Sequence, residues 1–320
     1  MRKKSLRLIA GAIFFFILTT PAHAAQTLIP VGKVVGIELH DDSVFVAAFE
    51  PTSAAQAAGV QKGDRLVSID GQHITSTQDV QNALDKSDGT VQVTLRRGDE
   101  LTTLRVEPQI TPQGPKLGIY LRQGVSGIGT VTYFDPDSKN FAALGHGVND
   151  ASGQLLAMRT GKVYSARVVS VRKGTAGEPG QLMGTVSGRE AIGTLSRNTA
   201  QGIFGKGVIR ASQQPLPVGT AEDVKTGNAT ILSTVSGDTP QEYSVEIIKI
   251  YPASRQNGRN MLIRITDPAL LETTGGIVQG MSGSPIIQDG ILVGAVTHVL
   301  VNDPTTGYGI FIENMLEVAG

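Results

Sequence analysis

A chain of 320 residues suggests two domains at about 150 residues each, and 28 basic against 28 acidic side chains give no electrostatic pull toward nucleic acid. The absence of cysteine excludes disulfides, thiolate metal sites and a cysteine nucleophile. With 39 Gly, 15 Pro and no Trp, the composition favours short strands and tight turns, a mainly β chain.

In chain order, Arg2, Lys3, Lys4 and Arg7 precede an apolar run from Leu8 to Leu18 and then Pro21-Ala22-His23-Ala24. A basic start, a short apolar stretch and an Ala-x-Ala site predict a secretory signal over residues 1–24, cut after Ala24. Retention as an uncleaved anchor, keeping the protein near the membrane, is the alternative reading. Either way the rest of the chain is expected outside the cytoplasm.

Residues 29–110 read as a compact strand-rich module. Pro51 and Ser53 start a short helix whose Ala54, Ala57 and Ala58 pack closely, and Gly59 ends it. Lys62-Gly63-Asp64 is a turn, Leu66 to Ile69 a strand, and Asp70-Gly71 a second turn. This run resembles a PDZ domain of the bacterial peptidase type. In that family a peptide adds as a strand beside the element after a carboxylate-binding loop. The resemblance assigns peptide binding to Val35, Gly36, Ile37 and Leu39, with a helix over Gln78–Leu84 on the groove's far side and a later strand over Val91–Leu95.

Thr111 to Lys116 reads as a linker by its Pro and Gly content. From Leu117 to Gly320 the chain alternates strand-like segments with Gly turns, among them Gly127 to Phe134, Arg167 to Val171 and Ser244 to Ile250. Repeated short strands without a long amphipathic helix suit a barrel or a pair of barrels. The sequence carries no metal-ligand cluster or phosphate loop, and no cofactor is expected.

Near the C-terminus stands Gly280-Met281-Ser282-Gly283-Ser284-Pro285, followed by two apolar strands around Asp289-Gly290. It resembles the Gly-x-Ser-Gly-x-Pro of chymotrypsin-like serine peptidases, with Ser282 as nucleophile. The backbone N–H groups of Gly280 and Ser282 would then form an oxyanion hole, where one donor is worth about 2.7–4 kcal/mol. Of five histidines, two lie in the same domain as Ser282: His146 and His298. His146, far upstream between Gly145 and Gly147, fits the order His, Asp, Ser and is the expected base. Thr297 and His298 follow the nucleophile, where a substrate backbone lies antiparallel in related peptidases. They are expected to wall the cleft, His298 alternatively to make a structural hydrogen bond, and His298 is the second candidate base. The acid that orients His146 is open between Asp267, Asp150, Asp223 and Asp238 on sequence alone. Gly275-Gly276 stands where a specificity residue is expected and offers no side chain.

Taken whole, the leader, the PDZ-like module, Gly145-His146-Gly147 and the Ser282 motif resemble the stage IV sporulation protein B family of signalling serine peptidases. Leu28-Ile29-Pro30, Gly127-Ile128-Gly129-Thr130 and Gly294 to Val299 match its landmarks. The resemblance implies a PDZ module followed by a chymotrypsin-like double β-barrel and a catalytic triad of His146, Asp267 and Ser282. It implies self-cleavage near the N-terminus, and cleavage of a membrane-bound regulator across the space between forespore and mother-cell membranes, which releases a late sporulation sigma factor. The competing class is a PDZ adaptor whose peptidase-like domain binds without cutting.

Overall fold

A computed structural model describes residues 26–150, 153–255 and 257–319. The leader expected over residues 1–24 lies outside them. The chain enters through β1 (Thr27–Pro30) and β2 (Val34–Phe49), a strand of 16 residues. The Ser53 hydroxyl accepts from Gln56 N to start α1 (Ala54–Ala57). Then β3 (Arg65–Ile69) and β4 (Gln72–His73) meet through Asp70-Gly71, both left-handed at φ 47° and 79°, the two-residue hairpin that Asp-Gly favours. A capping box starts α2 (Thr77–Leu84): the Ser76 hydroxyl accepts from Asp79 N, and the Asp79 carboxylate accepts from Ser76 N. The hairpin of β5 (Val91–Arg97) and β6 (Glu100–Val106) buries alternate residues of β5 against that helix's apolar face. A small hairpin, β7 (Gln109–Thr111) and β8 (Gly114–Lys116), occupies the expected linker and leads into β9 (Ile119–Phe134), again 16 residues.

There follow β10 (Asn140–Ala143), β11 (Thr160–Arg172), β12 (Gln181–Thr199), β13 (Gly202–Gly207) and β14 (Leu216–Pro217). The rest comprises β15 (Gly227–Ser233), β16 (Gln241–Ile250), β17 (Met261–Ile265), α3 (Pro268–Thr274), β18 (Pro285–Gln288), β19 (Ile291–Leu300), β20 (Asp303–Phe311) and α4 (Ile312–Glu317).

These strands close two rings. The second is the barrel β15-β16-β17-β20-β19-β18. In the first, β9, β10, β13, β12, β11 and β2 pair in that order, and β2 pairs back onto β9. The chain is therefore mainly β, with the expected double barrel. Each ring is filled by its own apolar cluster, around Val35, Val131, Phe141 and Val163 in the first and Ile247, Ile263, Ile286 and Phe311 in the second. Burial of each such side chain stabilises the fold by about 1.5–3 kcal/mol. Tyr133, Ala142 and Phe204 meet Ala295, Ile310 and Met315 to seal the seam.

The PDZ-like module is placed differently from the boundaries 29–110 and 117–320. The first half of β2 pairs with residues 125–130 of β9 inside the first barrel, and its second half, Val44–Phe49, pairs with Ile119–Gln123. The module thus interrupts the first barrel, carried on two strands that run through both. Its core of Val44, Leu66, Ile69, Val91, Val93 and Leu95 is separate from that of the barrel. No helix among the described residues is long and apolar enough to cross a membrane.

Candidate active site

Ser282 sits in the loop between α3 and β18. Gly280 and Gly283 take φ 100° and 97°, and a Cβ on Gly283 would stand 2.1 Å from the Thr130 carbonyl oxygen. Only glycine fits there. The fully buried Met281 side chain pins the loop to the second barrel's core. Gly283 N donates to Val296 O at 2.7 Å, and Ser284 N to Met281 O at 3.0 Å.

From the first barrel, the buried Thr130 holds the loop's other side. Its Oγ1 donates to Gly280 O at 2.7 Å and its N–H to Ser282 O at 3.1 Å. With both carbonyls engaged, the Gly280 and Ser282 N–H groups have no hydrogen-bond acceptor among the described residues. Two free donors flanking a serine are the equipment of an oxyanion hole. Sequence reasoning passes over Thr130 as a site residue; the Gly127-Ile128-Gly129-Thr130 landmark is the signal that contains it.

His146 follows β10 through Leu144 and Gly145, which are left-handed at φ 71° and 68°. That turn carries the imidazole to the wall of a cleft of about 310 Å³ that it shares with Gly280 and Ser282. Its Nδ1 lies 2.9 Å from Gly147 O. If Nδ1 carries the proton and donates to that carbonyl, Nε2 is left as the basic nitrogen. Burial pushes the His146 pKa below the ordinary imidazole value, more than the Gly147 bond raises it. The base is therefore neutral at neutral pH. The Ser282 hydroxyl donates to Thr297 O at 2.8 Å, toward the second barrel, and a turn about its χ1 redirects it into the cleft.

Thr297 is nearly fully buried, and its hydroxyl donates to Gly258 O at 2.6 Å. β18 pairs with β19 only as far as Ala295, so among the described residues no strand covers this edge of β19 beside Ser282, and the Thr297 carbonyl is met there by the Ser282 hydroxyl alone. The His298 ring lies 5.2 Å from that of His146, tilted by 42°. Its Nδ1 is buried without a partner, and its pKa is pushed down to about 4, first by burial and then by His146 and Arg259.

Asp267 is the residue that the structure does not bring to His146. Its carboxylate caps α3, accepting from Ala269 N and Leu270 N at 3.0 Å each, and from Ser244 N at 3.4 Å. An Asp before Pro268 at the helix's first position is an N-cap signature, and the structure uses it as one. Asp150 accepts from Gln154 N within its own loop, and Asp223 accepts from Thr220. The imidazole is held instead by the Gly147 carbonyl and the His298 ring. Gly275 and Gly276 mark close backbone crossings: a Cβ on the first would stand 2.4 Å from Gly174 O and on the second 2.1 Å from Pro304 O.

The residues assigned to PDZ peptide binding need correction. Val35, Gly36, Ile37 and Leu39 are paired on one edge with β9 and on the other with β11, so no edge is left for a peptide. Ile37 and Leu39 line the cleft of His146 and Ser282 instead. The module's open groove, about 190 Å³, runs between α2 and the start of β9, past Val80, Gln81, Leu84, Lys116, Ile119 and Leu121. Gly118, at φ 69°, packs so closely at its edge that a Cβ would stand 2.8 Å from Ser53 Cα. The Leu117 and Gly118 N–H groups donate to nothing among the described residues. Leu117-Gly118-Ile119 carries that signal in the sequence, but it reads equally as the first strand of a barrel.

Residues 45–97 match a PDZ domain and residues 113–316 the SpoIVB peptidase S55 family. A Rhizobium meliloti protein named "Putative zinc metalloprotease" is 32% identical over 169 residues, 52% of this chain and 41% of its own length. Serine protease HTRA1 of Xenopus laevis is 35% identical over 65 residues, 20% of this chain and 14% of that protein. The chain thus spans about two fifths, or less, of the length of these curated relatives. Among solved structures, the inactive form of the M. tuberculosis protease Rv3671c is 17% identical at a TM-score of 0.35, covering 59% of this chain and 81% of that one. The family match runs from the small hairpin before β9 through both barrels into α4, taking in His146 and the Ser282 loop: the chain belongs to the SpoIVB peptidase S55 family and carries a PDZ domain.

Proposed function

We propose that the chain is an exported regulatory endopeptidase that works through an acyl-enzyme on Ser282. The observation that carries this reading is the pair of unengaged N–H groups, Gly280 and Ser282, in the cleft that also holds His146. Ser282 Oγ attacks the scissile carbonyl carbon as its proton passes to His146 Nε2. The oxyanion forms against the two N–H groups. His146 returns the proton to the leaving amine, and water, deprotonated by the same imidazole, hydrolyses the ester.

The finer reading follows the family resemblance and the leader-like sequence of residues 1–24. The substrate is the extracytoplasmic part of a membrane-bound regulator, the enzyme first cuts itself near its N-terminus, and the released signal activates a late sporulation sigma factor. The site of action is the space between forespore and mother-cell membranes. The alternative, a PDZ adaptor that binds without cutting, is favoured by one observation: the Ser282 hydroxyl is bonded to Thr297 O rather than to the imidazole.

Incubation of the exported form, residues 25–320, beside Ser282→Ala, followed by intact mass, separates the two. Discrete N-terminal trimming in the parent and none in the variant is the expected result. Identical trimming in both would remove Ser282 from the chemistry and return the question to the adaptor.

A further inference from the structure

The catalytic cleft and the PDZ groove lie on the same edge of the same strand. β2 covers one edge of β9 along nearly its whole length. The opposite edge pairs with β10 only from Val131 to Phe134. Thr130 turns its N–H to Ser282 O and its C=O to Leu144 N on that side, so by the two-residue period Ile128 and Ser126 present their backbone groups to the same edge. At the other end, Gly118 O accepts from Glu50 N on the β2 side, so Ile119 and Leu121 present theirs toward α2. The odd-even change between the two stretches is absorbed at Gly124, left-handed at φ 75°.

We propose that one extended substrate segment pairs antiparallel along this whole edge, with its free C-terminal carboxylate at Leu117-Gly118 and its scissile bond at Ser282. This rests on the peptidase reading above and adds a substrate class to it: proteins cut at a fixed distance from their own C-terminus. The unengaged Leu117 and Gly118 N–H groups supply the donors that a terminal carboxylate needs, and the Lys116 side chain offsets that of Glu50 in the same groove. Polarity agrees at both ends. A chain antiparallel to β9 with its C-terminus at Gly118 runs back toward Ile128, and its N-terminal part reaches the oxyanion donors. The leaving-group half then lies over the apolar wall of Ile37, Leu39, Val125 and Ile128, on the first-barrel side of Ser282. The open edge of β19 at Thr297 receives the acyl half on the other side. From Gly118 to Ile128 is ten strand positions, about 33 Å at ~3.3 Å per residue. Cleavage is therefore set roughly ten residues from the end, with about two either way for the bulge at Gly124.

The test works whatever side chains the cleft prefers. The full exported chain is incubated with a proteome-derived peptide library of mixed lengths, and with the same library after C-terminal amidation, and cut positions are read by mass spectrometry. Ser282 is tracked in parallel with a fluorophosphonate probe. The expected result is a cluster of cuts about eight to twelve residues from free C-termini that disperses in the amidated library. Cuts scattered without regard to the C-terminus, and alike in both libraries, overturn the inference and leave the peptidase reading standing. Labelled Ser282 with no free-ended peptide cut also overturns it, because the register asks for nothing beyond an extended segment and a free end. No cutting and no labelling overturns both readings.

Discussion

The two barrels close with six strands each, yet they carry different burdens. The second is uninterrupted chain from β15 to β20, and it holds the nucleophile loop by its own core through Met281 and Gly283 N. The first is cut open by the PDZ module and restored only because β2 and β9 are long enough to serve both bodies. A closed barrel fixes a residue, whereas a shared strand couples two sites. The candidate site draws on both: Ser282 is presented by the uninterrupted barrel, while Thr130 and His146 come from the one that the PDZ module interrupts.

Thr130→Val tests that division most sharply. The change keeps shape and β-branching but removes the Oγ1 bond to Gly280 O. One oxyanion donor is worth about 10²- to 10³-fold in kcat. A clamp acting through the loop is expected to cost somewhat less, about 10- to 100-fold, with KM little changed. The orphaned Gly280 carbonyl adds about 1 kcal/mol of destabilisation, read by thermal melting. A kcat equal to the parent's would mean that the second barrel positions the loop unaided.

Asp267 gives a smaller effect and a cleaner contrast. As the N-cap of α3 its loss in Asp267→Ala costs about 1 kcal/mol of stability, Asp267→Asn retains most of that, and kcat/KM per folded molecule stays within about twofold. Loss of a triad acid instead drops kcat by about 10⁴-fold even in the Asn variant. Kinetics of the two variants, corrected for folded fraction, decide between cap and triad member.

These cases show where the sequence is legible. Ser282 and both Asp-Gly turns can be read because each motif is local: a glycine forced to positive φ, a two-residue hairpin. The mainly β class follows from composition, and the helix that the PDZ resemblance implies over Gln78–Leu84 is met by α2. The insertion of the PDZ module cannot be read, because β2 and β9 pass from one body to the other without a loop, and only Gly124 marks the bend. That hidden continuity sends Ile37 and Leu39 to the wrong groove and passes over Leu117-Gly118. Asp267 enters the expected triad through the family resemblance, whereas its partners are decided by α3, which begins at the next residue.

The His146–His298 contact carries the smallest expected effect, and it is one of stability. The folded chain holds His298 down to about 4, with burial the first cause and His146 and Arg259 behind it. An imidazole in the unfolded chain titrates near 6.5. Between those values the unfolded chain binds a proton that the fold refuses, so stability is full above about 6.5, declines as pH falls toward 4, and levels off below. His298→Phe removes this group and its unpartnered Nδ1, and the melting temperature of the variant is expected to vary less than the parent's between pH 6.5 and 4.5. Activity follows His146 instead: the base must be neutral, so the rate falls on acidification through its pKa, below the ordinary imidazole value of about 6.5. Parent and variant should therefore share that acid limb while differing in the pH slope of stability. A variant that keeps the parent's slope would move the proton uptake to His146 itself and make the two histidines one titrating unit.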